Sequence, residues 1–372
     1  MKPRTKRKIW SVLAAGTLVL TLSGCDGLPI DRLFPGAGEP DPPVDGGADA
    51  PPPGDTQQPP TGDADYPPPM NDDGDPGDEA DPPPMGDGGE TGDGSMPHPD
   101  LANLPQVDPG DVSTSVDLST TGERGANGGE NGAFRTVCQF AGMNYDDPIL
   151  HPDQPGLSHL HTFTGFVGTD ASTTPATLLA SGGSSTCRGG TIDKSAYWVP
   201  TLFDGAGNPV APDLFHIYYK TGYQGAEPSE VQPIPEGLMM IGGDVDATSQ
   251  QPYAYFTCNG NGKSATPQDC NGELWLQVDF PQCWDGQSTA WDGGAHVRYG
   301  DCPAGWVTMP VVTVNAVWKV SGSGYHLMDG VAPHADFMNG WDPAIMDTFV
   351  ENCINPGLDC HSHLLGDGRA MG

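Results

Sequence analysis

The chain has 372 residues, with 15 Lys and Arg against 49 Asp and Glu, a formal net charge of −34, and 53 glycines beside 40 prolines. Such an acidic chain repels phosphate backbones, which excludes nucleic acid as a natural partner. The surplus is shared: residues 26 to 120 carry 22 acidic groups against Arg32 alone, and residues 121 to 372 carry 27 against nine basic groups.

Lys2, Arg4, Lys6, Arg7 and Lys8 make a basic start, followed by an apolar run from Ile9 to Leu22. The run is too short to span a bilayer comfortably, and it ends in Leu22, Ser23, Gly24 and Cys25. This resembles a bacterial lipoprotein signal, in which Cys25 becomes the lipidated first residue. An ordinary secretory signal is the alternative, and both export the protein. The expectation is an extracytoplasmic protein of the cell envelope, tied to the membrane by its lipid anchor. Asp26 leaves open which membrane that is.

Residues 26 to 120 are dominated by Pro, Gly and Asp, as in DPPVDGGADAPPPGDTQQPP. With almost no aromatic residues and no apolar period, the segment has too little surface to bury against the entropy of ordering. It reads as a disordered acidic tether, stiffened by proline and extended by like charge. His98 falls within it. Its aspartates lack the spacing of an EF-hand loop.

Aromatic residues, cysteines and short apolar runs concentrate from Arg124–Phe134 to the end, so residues 121–372 are expected to form one folded domain. Strand-like runs include AYWVPTLF, FHIYYKT, GLMMIGG, YAYFTC, ELWLQVDF, AHVRYG and VVTVNAVWKV. In the last, Val312, Val314, Ala316, Trp318 and Val320 share one face at period two. Gly and Pro punctuate the intervals, which predicts a mainly β, antiparallel, sandwich-like domain with long loops. One helix is predicted near the end: Asp342 caps it, Pro343 suits its first turn, and Ile345, Met346, Phe349, Val350 and Cys353 make an apolar stripe.

Beyond Cys25 the chain has eight cysteines, an even number that reads as a disulfide framework in an exported protein. Short separations favour Cys258 with Cys270, Cys283 with Cys302 and Cys353 with Cys360, leaving Cys138 with Cys187. No CxxC pair supports a zinc-thiolate site.

His159 and His161 stand at i and i+2, so in an extended chain both imidazoles point to one side. His334 and Asp336 repeat that spacing, and His296 lies in AHVRYG. Imidazoles with a carboxylate suit a divalent transition metal, held by His159, His161, His296 and His334. They equally suit metal-free acid–base work by His159, His161, His334 and Asp336. His216 reads as an ordinary strand residue, and His151 and His326 have no partner in sequence. His361 and His363 form a second HxH pair beside Cys360. Aromatic rings that could stack on sugars include Tyr197, Trp198, Trp284 beside Asp285, and Trp291. Neither a GxSxG elbow, a P-loop, an HExxH helix nor a dinucleotide fingerprint is present.

The segments DDPILHPDQPGLSHLHTFTG, DKSAYWVPTLF, VDFPQCWDG, AHVRYGDCP and HADFMNGWD, in this order, resemble the domain-of-unknown-function family numbered nineteen ninety-six. That family occurs in secreted fungal and bacterial proteins, in fungi often beside carbohydrate-binding WSC modules. The resemblance covers about Asn144 to Cys353. It implies that His159, His161, Asp193, Ser195, Tyr197, Trp198, Cys283, Trp284, Asp285, His296, His334, Asp336, Gly340 and Trp341 lie at signature positions. Gly293 stands where relatives often carry a further histidine, and the loop from Asp329 to His334 looks shorter than usual.

Three functional readings follow. In the first, the domain binds and cleaves polysaccharide as a hydrolase or lyase. His159, His161 and His334 supply acid–base groups, Asp336 orients a histidine and Lys194 steadies a developing anion. Trp284, Asp285, Tyr197, Trp198 and His296 hold the sugar. In the second, the same aromatic residues bind glycan without turnover. In the third, the histidines hold a metal.

Overall fold

The computed structural model describes residues 99–372, apart from Glu130 and Asp329. The expected lipidation of Cys25, the tether up to His98, and Asp329 lie outside the described residues. Thirteen strands build two sheets. In chain order they are β1 (Ala126–Asn127), β2 (Ala133–Cys138), β3 (Phe140–Asn144), β4 (His161–Gly165), β5 (Ala196–Pro200) and β6 (Leu214–Lys220), then β7 (Met239–Gly242), β8 (Ala254–Cys258), β9 (Asn261–Ser264), β10 (Gly272–Asp279), β11 (Val311–Val320), β12 (Ala335–Met338) and β13 (Leu358–Asp359).

One sheet has five strands in the order β7-β12-β5-β4-β3, and the other has eight, in the order β9-β8-β10-β11-β6-β2-β13-β1. Their ladders are antiparallel except for a parallel contact between Asp359 and Ala133. The domain is mainly β, as its alternating apolar pattern predicts. Val312, Val314, Ala316, Trp318 and Val320 of β11 all enter the core, because alternate residues of a strand face one way. From the five-stranded sheet, Tyr197, Val199, Met240 and Phe337 meet Phe134, Phe215, Ile217, Tyr219, Leu274 and Leu276 of the other. The expected helix is α2 (Pro343–Phe349), after a five-residue α1 (Pro175–Leu179) that the sequence reading missed. Asp342 caps α2 by accepting from the amides of Ala344 and Ile345. A π-helical turn, Val350–Ile354, continues it, which keeps Val350 and Cys353 buried with Ile345, Met346 and Phe349.

The cysteines pair as their separations suggest: Cys138–Cys187, Cys258–Cys270, Cys283–Cys302 and Cys353–Cys360. A polar thread crosses the core. The Tyr197 and Tyr219 hydroxyls are 2.6 Å apart, and Trp341 Nε1 donates to the Tyr219 hydroxyl at 2.7 Å. Asp193, fully buried beside them, accepts from the Ser195 amide, and burial pushes its carboxyl up to about 7.

One boundary is corrected. Residues 99–120, expected to end the tether, lie against the domain. Leu104 is buried, Ser113 bridges to Ser185, and Leu118–Thr120 pairs with Arg369–Met371. Ladder hydrogen bonds and two apolar side chains supply what a Pro, Gly and Asp composition hides. No described helix is long and apolar enough to cross a membrane.

Candidate functional site

Register divides the five-stranded sheet into two faces. Tyr197, Val199 and Phe337 point into the sandwich, so Phe163, Trp198, Asp336 and Ile241, paired in turn across β4, β5, β12 and β7, point outward, and so does His161, two residues before Phe163. This outward face is covered by loops and by α1. Ile149, Phe166 and Leu178 pack there on Phe163, Trp198, Ile241 and Met338. The cover explains why polar side chains on an outer face are sealed from water.

His161 opens β4 and Asp336 lies in β12, while His159 and His334 each sit two residues before them on the incoming loop. The i, i+2 spacing therefore brings each pair together although only one member of each lies in a strand. The rings of His159 and His161 have centroids 4.2 Å apart, and His334 Nε2 is 3.8 Å from Asp336 Oδ2. Across the two segments, His161 Nε2 and His334 Nε2 are 3.5 Å apart.

The proton positions follow from the other ring nitrogens. His161 Nδ1 donates to the Asp146 carbonyl at 3.0 Å, and His334 Nδ1 donates to the Ala332 carbonyl at 2.8 Å. A carbonyl only accepts, so each neutral ring presents a bare Nε2 lone pair to the other. The Asp146 carbonyl is held by its own side chain, whose two oxygens accept from the amides of Gly156 and Ala171. His159 Nε2 and both carboxylate oxygens of Asp336 are buried without a hydrogen-bond partner.

Burial governs the electrostatics. It lowers His159 to about 3 and His334 to about 4, and holds His161 well below the usual imidazole range. Burial, with Asp147 beside it, pushes Asp336 well above the usual carboxylate range. All three imidazoles are thus neutral near pH 7, the form that donates to a metal. One nitrogen each of His159, His161 and His334 lies within 4.8 Å of the others, and Asp147, His161 and Asp336 form a second such group. Both groups share His161, whose other nitrogen is committed to a carbonyl, so they describe one basin around its Nε2. Cys138, Cys187 and Asp193 also cluster, but the two sulfurs are joined in a disulfide and offer no thiolate.

Two members of the basin escaped the sequence reading. Asp147 turns the loop by accepting from the amides of Ile149 and Leu150. His151, on the same turn, is close enough for its charge to lower His159 and His161 further. The signal was present in DDPILH, an acid four residues before a histidine ahead of the HxH pair.

The family model described as a domain of unknown function (DUF1996) matches residues 147–341, more than half of the chain. The chain belongs to that family. No curated protein and no solved structure matches it. The DUF1996 segment begins at Asp147 and takes in every member of the basin.

Several expected site residues lie elsewhere. His296 is fully buried, with Nδ1 2.6 Å from Asp292 and Nε2 donating to the Met239 carbonyl at 2.8 Å, so neither nitrogen is open to a metal. Lys194 flanks the opposite end of β5 from His161, and its amine donates to the carbonyls of Ala180 and Gly182. It is a loop clamp rather than an anion-stabilising group. Tyr197 and Trp198 are 0% exposed and are core residues, so neither ring can serve as a sugar platform. Trp284 sits in the small sheet of Cys283–Trp284, Val297–Arg298 and Val307–Thr308, and Asp285 directly follows it. Trp284 Nε1 donates to the Ser288 carbonyl, and Asp285 accepts from the amides of Gln287 and Ser288, which closes a turn.

Proposed function

We propose that this domain is a metal-binding protein, exported and lipid-anchored through Cys25, that holds one divalent transition metal on His159, His161, His334 and Asp336, with Asp147 beside them. The observation that carries the reading is the pair of bare Nε2 atoms 3.5 Å apart. Two lone pairs at that separation repel, and a cation between them turns the repulsion into attraction. The donor set fits: nitrogen ligands favour first-row transition metals over calcium or magnesium. The Nδ1 donations to carbonyls are the outer-shell contacts that orient metal-bound imidazoles. Asp336 would add charge from a position where its oxygens have no other partner.

A bound metal of this kind supplies Lewis acidity and lowers the pKa of a coordinated water. The chain's part is to keep three rings neutral, to set their tautomers, and to exclude bulk water with the loop cover. His159, half-buried, marks the side of the basin nearest solvent. The expected cleavage of polysaccharide by these residues finds no aromatic platform in this basin, since Trp198 lies sealed beneath it.

Elemental analysis of the full chain, purified without added metal and again after chelation and reloading with zinc, manganese, iron(II) or copper, tests the reading. About one equivalent is expected, lost in His161→Ala and in His334→Ala. Failure of the folded chain to take up any of these metals would overturn it.

A further inference from the structure

The eight-stranded sheet also has an outward face, on the far side of its core-facing residues. Register lays out its rows. Arg135, Tyr218, Thr313 and Asp279 form one row across β2, β6, β11 and β10, and Val137, His216, Asn315, Gln277 and Tyr255 form the next, reaching β8. Trp275 and Thr257 begin a third. An outward face of an antiparallel sheet ordinarily carries small or charged side chains that water solvates singly. This one carries three aromatic rings, an imidazole and two carboxamides.

Its cations are out of proportion to the chain. Arg135, Lys220, Lys263 and Lys319 are four of the nine basic residues in residues 121–372, where 27 acidic residues are spread. Three of them stand against aromatic rings. Lys220 Nζ is 4.2 Å from the centroid of Tyr218 and 4.3 Å from that of Tyr223, Arg135 lies 5.4 Å from Tyr218, and Lys263 lies 3.8 Å from Tyr255. Tyr223 is 55% exposed and among the few large side chains left open to water. Its ring is held at the rim by the Lys220 amine, which donates to its hydroxyl at 3.0 Å.

We infer that this face binds a carboxylated polysaccharide, a chain of uronic-acid sugars. Arg135 and Lys220 would take the carboxylates, Gln277 a hydroxyl, and Tyr223 and Trp275 the sugar rings, while Asn315 and Thr313 are buried beneath them. Sugars offer flat apolar faces to aromatic rings and hydroxyls to carboxamides, which this face supplies in alternation. Glu273 and Asp279 also stand on this face, so the sugar rings and hydroxyls contribute beside the charge. The inference is independent of the metal basin, which lies on the outward face of the other sheet.

The test uses the full chain in affinity electrophoresis and calorimetry against polygalacturonate and alginate, with hydroxyethyl cellulose as a neutral polymer and single-stranded DNA as a phosphate one. The acidic polysaccharides are expected to bind, and to bind less well as salt rises. Tyr223→Ala, whose exposed ring is removable without harm to the fold, and Lys220→Ala should each weaken binding about tenfold, the scale of one lost anchor, while Lys220→Arg retains most of it. Metal content should stay unchanged in these variants, and His161→Ala should bind polysaccharide as the unaltered chain does. No binding to either uronate polymer, equal binding by Tyr223→Ala and Lys220→Ala, or tighter binding to DNA would each overturn the inference.

Discussion

His161 and His334, 173 residues apart in sequence, place their Nε2 atoms 3.5 Å from each other, and the Nδ1 of each is spent on a backbone carbonyl. A cation bound between them stabilises the fold by mass action. At a free metal concentration one hundred times the dissociation constant, the gain is about 2.7 kcal/mol. For a domain of this size that raises the melting temperature by roughly 5 to 10 °C. Calorimetric scans of the chelated and metal-loaded chain should show the rise, and His334→Ala should abolish it.

Asp336 gives a second reading of the same basin. Its oxygens lack protein partners, so Asp336→Asn removes a ligand charge while leaving the ladder of β12 with β5 and β7 intact. Metal affinity, measured by competition with a chromophoric chelator, should fall at least about tenfold, since a ligating charge is lost where water does not replace it.

Asp193 sets a pH dependence apart from the metal. Burial raises its folded value to about 7 from an ordinary 3.8. The folded state then holds the proton more tightly than the unfolded chain. The stability linked to it is complete below the unfolded value and is lost as pH rises through about 7. Between about pH 5 and pH 8, Asp193→Asn should gain stability relative to the unaltered chain, by a difference on the order of a few kcal/mol across the window, read from denaturation at each pH. A difference that stays flat with pH would show Asp193 to titrate elsewhere.

The four disulfides should differ in worth by the loops they close. Cys138–Cys187 spans 49 residues and Cys353–Cys360 spans seven. On the chain-entropy account, replacing the first pair by serine costs about 4 kcal/mol and the second about 2.5 kcal/mol. Urea denaturation of the two double variants gives the ordering.

Gly340 shows how close two backbones come near the core thread. A Cβ there would run into the Lys194 carbonyl, while the Gly340 amide donates to Ser195 Oγ at 3.0 Å. Gly340→Ala should cost roughly 2 kcal/mol or more through overpacking that only backbone movement can relieve. Chemical denaturation with an unchanged slope is the check.

Much of the basin was legible because its two halves are local. A spacing of two puts His159 with His161, and His334 with Asp336, on one side of an extended chain whatever the rest of the fold does. That the halves meet follows from β4, β5 and β12 lying side by side, a long-range pairing that no local spacing encodes. His296 carried the same residue chemistry, but Asp292 and the Met239 carbonyl claim both its nitrogens. Asp147 and His151 went unnoticed because a turn, not a strand period, aims them. Tyr197 and Trp198 face opposite sides of β5, and only the loops packed over one side bury both.

By itself, the amino-acid sequence determined the period-two apolar strands and the capped helix after Asp342, and it favoured the three short disulfides, since these rest on interactions between residues near in the chain. Tertiary structure alone decided which histidines share a basin, which aromatic rings are sealed, and that residues 99–120 pack on the domain. Those outcomes depend on sheet order and on the loops that fold over each face. The free energies that choose them come from contacts between segments distant in the chain, such as Ile149 with Trp198 and Leu118–Thr120 with Arg369–Met371.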